Sequence, residues 1–354
     1  MGSRWEAVGK TLDNTMKTIS VKTIYLVTGA TGHLGHVIVR RLTEKGCKVR
    51  ALVLPGDVNT SRIPPGTEII AGDLLDKESL TRFFAVGSGI RAVVIHCAGI
   101  VSTCSSFSKP MYDVNVTGTR NIVDLCLATR AAKLVYVSSV HALPVLPRGQ
   151  KIREIGTFSA DRVKGPYAKT KAEATAYVME AAQKGLDASV VFPGGLLGPG
   201  DYCKGHMLQL VLDYTQGRLP VAVQGGFDFV DVRDVADGVI SCCSRGKKGE
   251  GYILAGRYIT VREMMEFLHQ ATGRRRTRIF LPVWMARVLV PFCALYYRIR
   301  KQPPLFSSYS LYTLTCNADF SHEKAAKVLG FKVRPFMETV VDTVKWLVAN
   351  ILPG

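Results

Sequence analysis

Short apolar runs alternate with stretches of helical periodicity through the first two-thirds of the chain. Thr23–Val27 is a compact apolar run ending at a glycine turn, as a strand buried on both faces would. Leu34–Lys45 then carries a helical pattern and stops at Gly46, which sits where a C-terminal cap belongs. The same reading gives strands at Lys48–Leu54, Glu68–Ala71, Ala92–His96, Lys133–Val137 and Ala188–Phe192. Between them it gives helices at Asp76–Ala85, Tyr112–Thr129 and Ala168–Lys184. Repeated strand–helix–strand units of this kind predict a parallel sheet with helices on both faces.

The alternation breaks after Pro193. Gly194-Gly195 and Gly198-Pro199-Gly200 mark a loop-rich excursion, and Phe227–Val232 returns to a strand followed by a helix. Beyond about Gly256 the pattern is mainly helical. The expected organisation is a disordered extension over 1–20 and a nucleotide-binding unit from 21–193 and 227–255. A smaller, interleaved substrate unit comes from 194–226 and 256–354.

Composition changes this picture only at the margins. With 354 residues, 47% hydrophobic and 21% charged, the chain is long enough for a large core and is not disordered in character. A net charge of +18 favours anionic ligands or acidic surfaces. No zinc finger, basic zipper or aromatic RNA-binding signature accompanies the charge, so nucleic acid is not an expected partner. Nine cysteines occur without a Cys-x-x-Cys spacing. They are expected to be apolar fillers in a reducing, cytoplasmic setting and not metal ligands.

One segment pulls the other way. Residues 279–297 are largely apolar between basic flanks, but Arg287, Pro282 and Pro291 interrupt them. A mid-bilayer arginine costs about 2.5–3.5 kcal/mol on insertion scales. The expectation is therefore an amphipathic helix that closes a pocket or lies on a membrane surface, with Trp284, Val288, Leu289, Phe292 and Tyr296 at helical spacing.

Chemistry enters at two places. Thr28-Gly29-Ala30-Thr31-Gly32-His33-Leu34-Gly35 joins the first strand to the first helix. Its glycines suit a tight turn, a close approach of backbone to pyrophosphate, and close packing of helix on strand. The helix N-terminus beyond them offers free N–H groups and partial positive charge to an anion. Far downstream, Tyr167 and Lys171 lie four residues apart, and so on one helix face. A lysine ammonium and a positively charged nicotinamide beside a phenol would both favour the phenolate.

The glycine spacing resembles the Thr-Gly-x-x-Gly-x-x-Gly of the extended short-chain dehydrogenase/reductases, the superfamily of the NAD-dependent epimerases and dehydratases. The likeness runs from about Val21 to the end of the chain. It takes in Gly72-Asp73-Leu74, His96-Cys97-Ala98-Gly99 and Asn115-Val116-Thr117-Gly118-Thr119. It continues through Ser138-Ser139, the Tyr167/Lys171 pair, Pro193-Gly194-Gly195 and Val230–Ala236. The C-terminal part resembles the branch of dihydroflavonol reductases and 3β-hydroxysteroid dehydrogenases; Asn317–Ser321, Lys324-Ala325 and Leu329-Gly330-Phe331 resemble a segment these share with sugar epimerases.

The resemblance implies a Rossmann doubly wound α/β fold. It also implies Tyr167 as acid/base, Lys171 as its modulator and ribose ligand, and Ser139 as the polarising hydroxyl, with Ser138 the alternative. Asn115 would steady the lysine. Gly29, Thr31, Gly32, His33, Leu34, Gly35, Asp73, Leu74, Ala98, Gly99 and Pro193 would line the cofactor. Leu54-Pro55-Gly56-Asp57 departs from both the NAD and NADP patterns after the second strand, leaving Asp57 or Arg62 to set the preference. The overall basic charge tilts this slightly to NADP. His96 and His141 are expected to be wall residues and not catalysts.

Substrate candidates are Thr103, His141, Tyr202, Phe227 and Trp284. The apolar 279–297 segment suggests a hydrophobic alcohol or ketone. A nucleotide-sugar epimerase or dehydratase, with Arg218 or Arg233 in a diphosphate clamp, is the nearest alternative, and a non-catalytic cofactor-binding regulator the next. A homodimer is compatible with either enzyme.

Overall fold

A computed structural model describes residues 22–288 and 308–352. The expected extension over 1–20 and the stretch 289–297 lie outside them. β1 (Thr23–Thr28), α1 (His33–Glu44), β2 (Lys48–Val53), β3 (Glu68–Ala71), α2 (Lys77–Phe84) and β4 (Arg91–His96) form the first half of the main layer. A helical run follows as α3 (Lys109–Tyr112), a π-helical turn (Asp113–Gly118) and α4 (Thr119–Ala128). β5 (Lys133–Val137), α5 (Pro166–Gln183) and β6 (Ala188–Pro193) close the second half.

After β7 (Gly195–Leu197) come α6 (His206–Thr215), β8 (Val221–Val223), β9 (Gly226–Asp231), α7 (Val232–Arg245), β10 (Glu250–Leu254) and β11 (Arg257–Thr260). The chain ends through α8 (Val261–Thr272), β12 (Ile279–Leu281), α9 (Ser308–Thr315), α10 (Glu323–Leu329) and α11 (Phe336–Asn350).

The central sheet has seven strands in the order β10-β6-β5-β4-β1-β2-β3, and each of its pairs is parallel. The order reverses between β1 and β4, which opens a crevice beyond the carboxyl ends of those strands. Alternation along the strands feeds two cores. Leu26, Val94, Leu134 and Val190 face one side, with Leu80, Phe83, Ile122 and Val178 from α2, α4 and α5. Val27, Val93, Val135 and Val191 face the other, with Val37, Ile38 and Leu42 of α1 and Val235 and Val239 of α7. A period of two in the strands meeting a period near 3.6 in the helices builds this three-layer packing.

Four expectations change. β9, the strand expected at Phe227–Val232, joins a small sheet of order β11-β9-β7 and not the central one. The seventh central strand is β10, which pairs with β6 from Glu250↔Ser189 to Leu254↔Pro193. The long helix expected from Tyr112 starts at Lys109 and carries a π turn. The segment from Ile279 opens as a strand paired in parallel with β8, and helix begins only at 283–288. No helix among the described residues is long and apolar enough to cross a membrane.

Candidate active site

The glycine turn is built for close approach. Gly29 has φ +70°, and a Cβ there would fall 2.7 Å from Ala98 N, at the end of β4. A Cβ on Gly35 would lie 2.0 Å from Gly29 O, so only glycine lets α1 start against the turn. At Gly32 an added Cβ would press on Gly29 O at 3.3 Å, its one neighbour within 4 Å. α1 has no side-chain cap and no acidic residue in its first turn. Its leading N–H groups therefore have no partner from their own helix, which is what a pyrophosphate requires. His33 starts the helix with Nε2 buried and unpaired, and burial lowers its pKa.

The other ligands predicted for the cofactor collect at the same sheet edge. Ala98 donates its N–H to Thr28 Oγ1 at 3.3 Å, Gly99 follows it, and Pro193 ends β6. Asp73 and Leu74 follow β3. Asp73 Oδ1 accepts from Leu75 N at 2.9 Å, and Leu74 packs against Gly118. Asp57 is used locally: its carboxylate accepts from Asn59 N at 2.9 Å and caps the short 3-10 helix over Val58–Arg62. Arg62 extends outward, with Cζ 4.1 Å from the Tyr202 ring centroid.

Tyr167 and Lys171 are both brought inside by α5, at 6% and 4% exposure. α5 begins at Gly165, whose φ of +101° only glycine adopts easily, followed by Pro166 at the first helical position. Ser139 lies near enough to the Tyr167 phenol to draw its pKa down. Ser138 instead bonds Thr175 at 2.7 Å in the core. Lys171 Nζ donates to Val137 O at 2.9 Å and reaches Tyr136 Oη at 3.4 Å.

Asn115 clasps the loop after β4. Its Oδ1 accepts from Ile100 N at 2.7 Å, and its Nδ2 donates to Ile100 O at 3.0 Å and to Thr170 Oγ1 at 3.1 Å. A Cβ on Gly99 would meet Asn115 Oδ1 at 3.1 Å and Lys171 Nζ at 3.4 Å, so the two side chains converge there.

The electrostatics reverse one expectation. Burial pushes the Tyr167 phenol up to about 12, against a smaller downward pull from Ser139. Burial also lowers Lys171 to about 8. The lysine is turned to Val137 and Tyr136, so in the protein alone it does not depress the phenol, and desolvation wins.

His96 is a fully buried core histidine, lowered by burial to about 3. Thr119 Oγ1 gives its proton to Asn115 O at 2.7 Å, so His96 Nε2 donates to that oxygen at 3.0 Å. Nδ1 then accepts from Thr28 Oγ1 at 2.7 Å. The histidine thus ties β1 to the π turn that carries Asn115.

Beside Tyr167 lies a cavity of about 250 Å³, lined by His141, Leu143, Ile152, Phe227, Tyr309 and Phe320 among others. His141 meets the Tyr167 ring edge-on at 5.8 Å and stacks on Phe227 at 5.3 Å. Of the five substrate candidates, the cavity contains His141 and Phe227. Thr103 does not line it. Tyr202 lies at the opposite end, between His36 and Trp346, with ring distances of 5.3 and 5.1 Å. Trp284 is 67% exposed on the surface. Tyr309, Tyr312 and Phe320 were missed. The first two sit on α9, which carries no motif; Phe320 lay in a segment read for resemblance alone.

The arginines suggested for a diphosphate clamp are already engaged. Arg233 bonds Asp231 and Asp342, each at 2.7 Å, and Arg218 lies 3.6 Å from Asp213.

This is the arrangement of a nucleotide-dependent oxidoreductase with a Rossmann sheet. Residues 25–255 match the NAD dependent epimerase/dehydratase family. The chain belongs to that family and is an enzyme of it. It is 29% identical to sterol demethylase protein B of Methylococcus capsulatus, over 91% of this chain and 97% of that one. It is 28% identical to mouse (Mus musculus) 3 beta-hydroxysteroid dehydrogenase type 7, over 92% of this chain and 96% of that one. The crystal structure of gox2253 superposes with a TM-score of 0.79 at 29% identity, covering 94% of this chain and 99% of that one.

Proposed function

We propose that the enzyme interconverts a carbonyl and a secondary alcohol on a largely apolar substrate, with Tyr167 as the proton-transfer group. The carrying observation is buried Tyr167, with Ser139 acting on its phenol, beside a cavity of mixed lining in which Leu143, Ile152, Phe227 and Phe320 supply the apolar part. The first turn of α1, Gly32, Ala98 and Gly99 suit a dinucleotide, with Lys171 and Asn115 converging on Gly99. Such a cofactor supplies or accepts the hydride when bound.

The protein's own residues handle the proton. Ser139 Oγ donates to the substrate oxygen and polarises it. Tyr167 Oη gives that oxygen its proton during reduction and takes it back during oxidation. Lys171, with its ammonium poised near neutrality, compensates the phenolate that reduction leaves. The apolar walls from Leu143, Ile152, Phe227 and Phe320 exclude water from the transfer.

Two relatives carry names from sterol chemistry, which supports a hydrophobic substrate class. The engaged state of Arg218 and Arg233 speaks against a nucleotide sugar.

The test is a panel of ketones, hydroxysteroids and nucleotide sugars followed by nicotinamide absorbance. Turnover is expected for an apolar ketone or hydroxysteroid. Tyr167→Phe is expected to lower it roughly 100-fold or more while leaving the cofactor dissociation constant unchanged. Full activity in that variant would remove Tyr167 from the mechanism. Turnover of nucleotide sugars alone, with cofactor retained through purification, would favour the epimerase class.

A further inference from the structure

Tyr309 is 6% exposed, and its hydroxyl is buried without a hydrogen-bond partner. A buried phenol hydroxyl left unpaired is unfavourable, and such an atom calls for a partner that arrives from outside. The side chain lines the cavity beside Tyr167, on the same face of α9 as Tyr312 and Thr313.

Its place is fixed relative to the reacting end of α5. A Cβ on Gly165, two residues before Tyr167, would fall 2.1 Å from the Tyr309 ring. His141 touches both tyrosines, with ring centroids 5.8 Å from Tyr167 and 6.2 Å from Tyr309. Tyr309 N also donates to Ser105 Oγ at 3.2 Å, which anchors the start of the helix from the loop after β4. The rest of the lining is mixed: Leu143, Ile152, Val163, Phe227 and Phe320 supply hydrocarbon and ring, while Asp161, Arg162, Lys164 and Asn317 supply charge and amide.

We propose that Tyr309 is a substrate-positioning residue whose hydroxyl donates a hydrogen bond to an oxygen of an otherwise apolar substrate. This deepens the carbonyl–alcohol reading and rests on it for the substrate class. The site then holds two hydroxyl arms, Ser139 with Tyr167 on one wall and Tyr309 on another, and selects an oxygen-bearing ring compound over a pure hydrocarbon. His141, stacked on Phe227 and lowered by burial to about 4, stays neutral between the two phenols and acts as a spacer.

The experiment uses the full chain as Tyr167→Phe, saturated with NADH and labelled with ¹³Cζ-tyrosine, so that no turnover intervenes. The Tyr309 signal is assigned by its loss in Tyr309→Phe. The probes are cyclohexanone and its acceptor-free isostere methylenecyclohexane. The Tyr309 resonance is expected to shift with cyclohexanone and not with methylenecyclohexane. Tyr309→Phe is expected to weaken cyclohexanone binding about ten-fold, the ordinary worth of one hydrogen bond, and to leave methylenecyclohexane binding unchanged. NADH affinity and melting temperature should hold, since phenylalanine keeps the ring packing.

No cyclohexanone-dependent shift, or equal weakening of both probes, overturns the proposal. A Tyr309 shift in a protein whose Tyr167 form turns over no ketone or alcohol sinks the functional reading and leaves the positioning role standing.

Discussion

Tyr167 is buried, and in the proposed mechanism that sets the pH dependence of its proton transfer. A phenol pushed up to about 12 stays protonated throughout the neutral range. It is a ready donor for carbonyl reduction and a scarce base for alcohol oxidation. Reduction is therefore expected to be flat in pH until Lys171, lowered to about 8, loses its charge. Oxidation is expected to rise by about one log unit per pH unit below that point. Steady-state rates in both directions check this, and an oxidation plateau beginning near pH 6 would contradict it.

The sign for stability is the opposite of a salt bridge. Lys171 has a folded pKa below the ordinary lysine value of 10.5, so burying its charge destabilises the fold below about pH 8. That penalty is relieved as pH rises from about 8 towards 10.5. That Tyr167, Lys171 and Asn115 would be brought close together was readable from spacing and resemblance. The direction of the phenol's shift was not, because it depends on what packs around the ring.

Among the elements, the glycine turn and α1 were legible because each glycine has a local geometric reason. Gly35→Ala would drive a Cβ into the Gly29 carbonyl, and backbone cannot yield as a side chain can. The expected result is a loss of about 1–3 kcal/mol of stability from overpacking, together with weaker cofactor binding. Thermal melts and a nicotinamide fluorescence titration measure the two, and a variant unchanged in both would show that α1 can slide.

β10 and the cavity face of α9 were less legible. The strand at Glu250–Leu254 is short and lies between glycine turns, so its apolar run has no length to identify it. α9 shows weak amphipathicity, and its tyrosines acquire meaning only once the fold brings them to Gly165. Ser138 and Ser139 differ by one residue at a strand end, where sequence alone does not set the register; in the fold Ser138 pairs with Thr175.

Across the whole molecule, the chain's last helix is tied to the edge where β2 ends. Trp346 of α11 meets Tyr202, Tyr202 meets His36 of α1, and Arg62 covers the Tyr202 ring. Tyr202 was expected at the substrate and instead braces the region after β2, because the 198–203 loop folds back over α1; Gly200 lies against Val37 and His36. Asp57 accepts from Asn59 N in its own cap and Arg62 lies over the Tyr202 ring, and we propose Arg62 as the residue that would favour NADP over NAD. Arg62→Ala is expected to lower the NADP-to-NAD ratio of kcat/KM about ten-fold by loss of a phosphate contact. Asp57→Ala should chiefly cost about 1 kcal/mol of local stability. Equal ratios in the two variants and the parent would remove both residues from cofactor choice.

The π turn at Asp113–Gly118 has a further consequence. A turn that holds an extra residue rotates the downstream helix by roughly 100° relative to the upstream one. Upstream, Met111 is buried; downstream, Ile122, Val123 and Cys126 face the sheet. Asn115 sits inside this turn, between the buried Met111 and the sheet-facing residues of α4. Shortening the turn by one residue would force a choice between seating α4 on the sheet and keeping the Ile100 loop clasped.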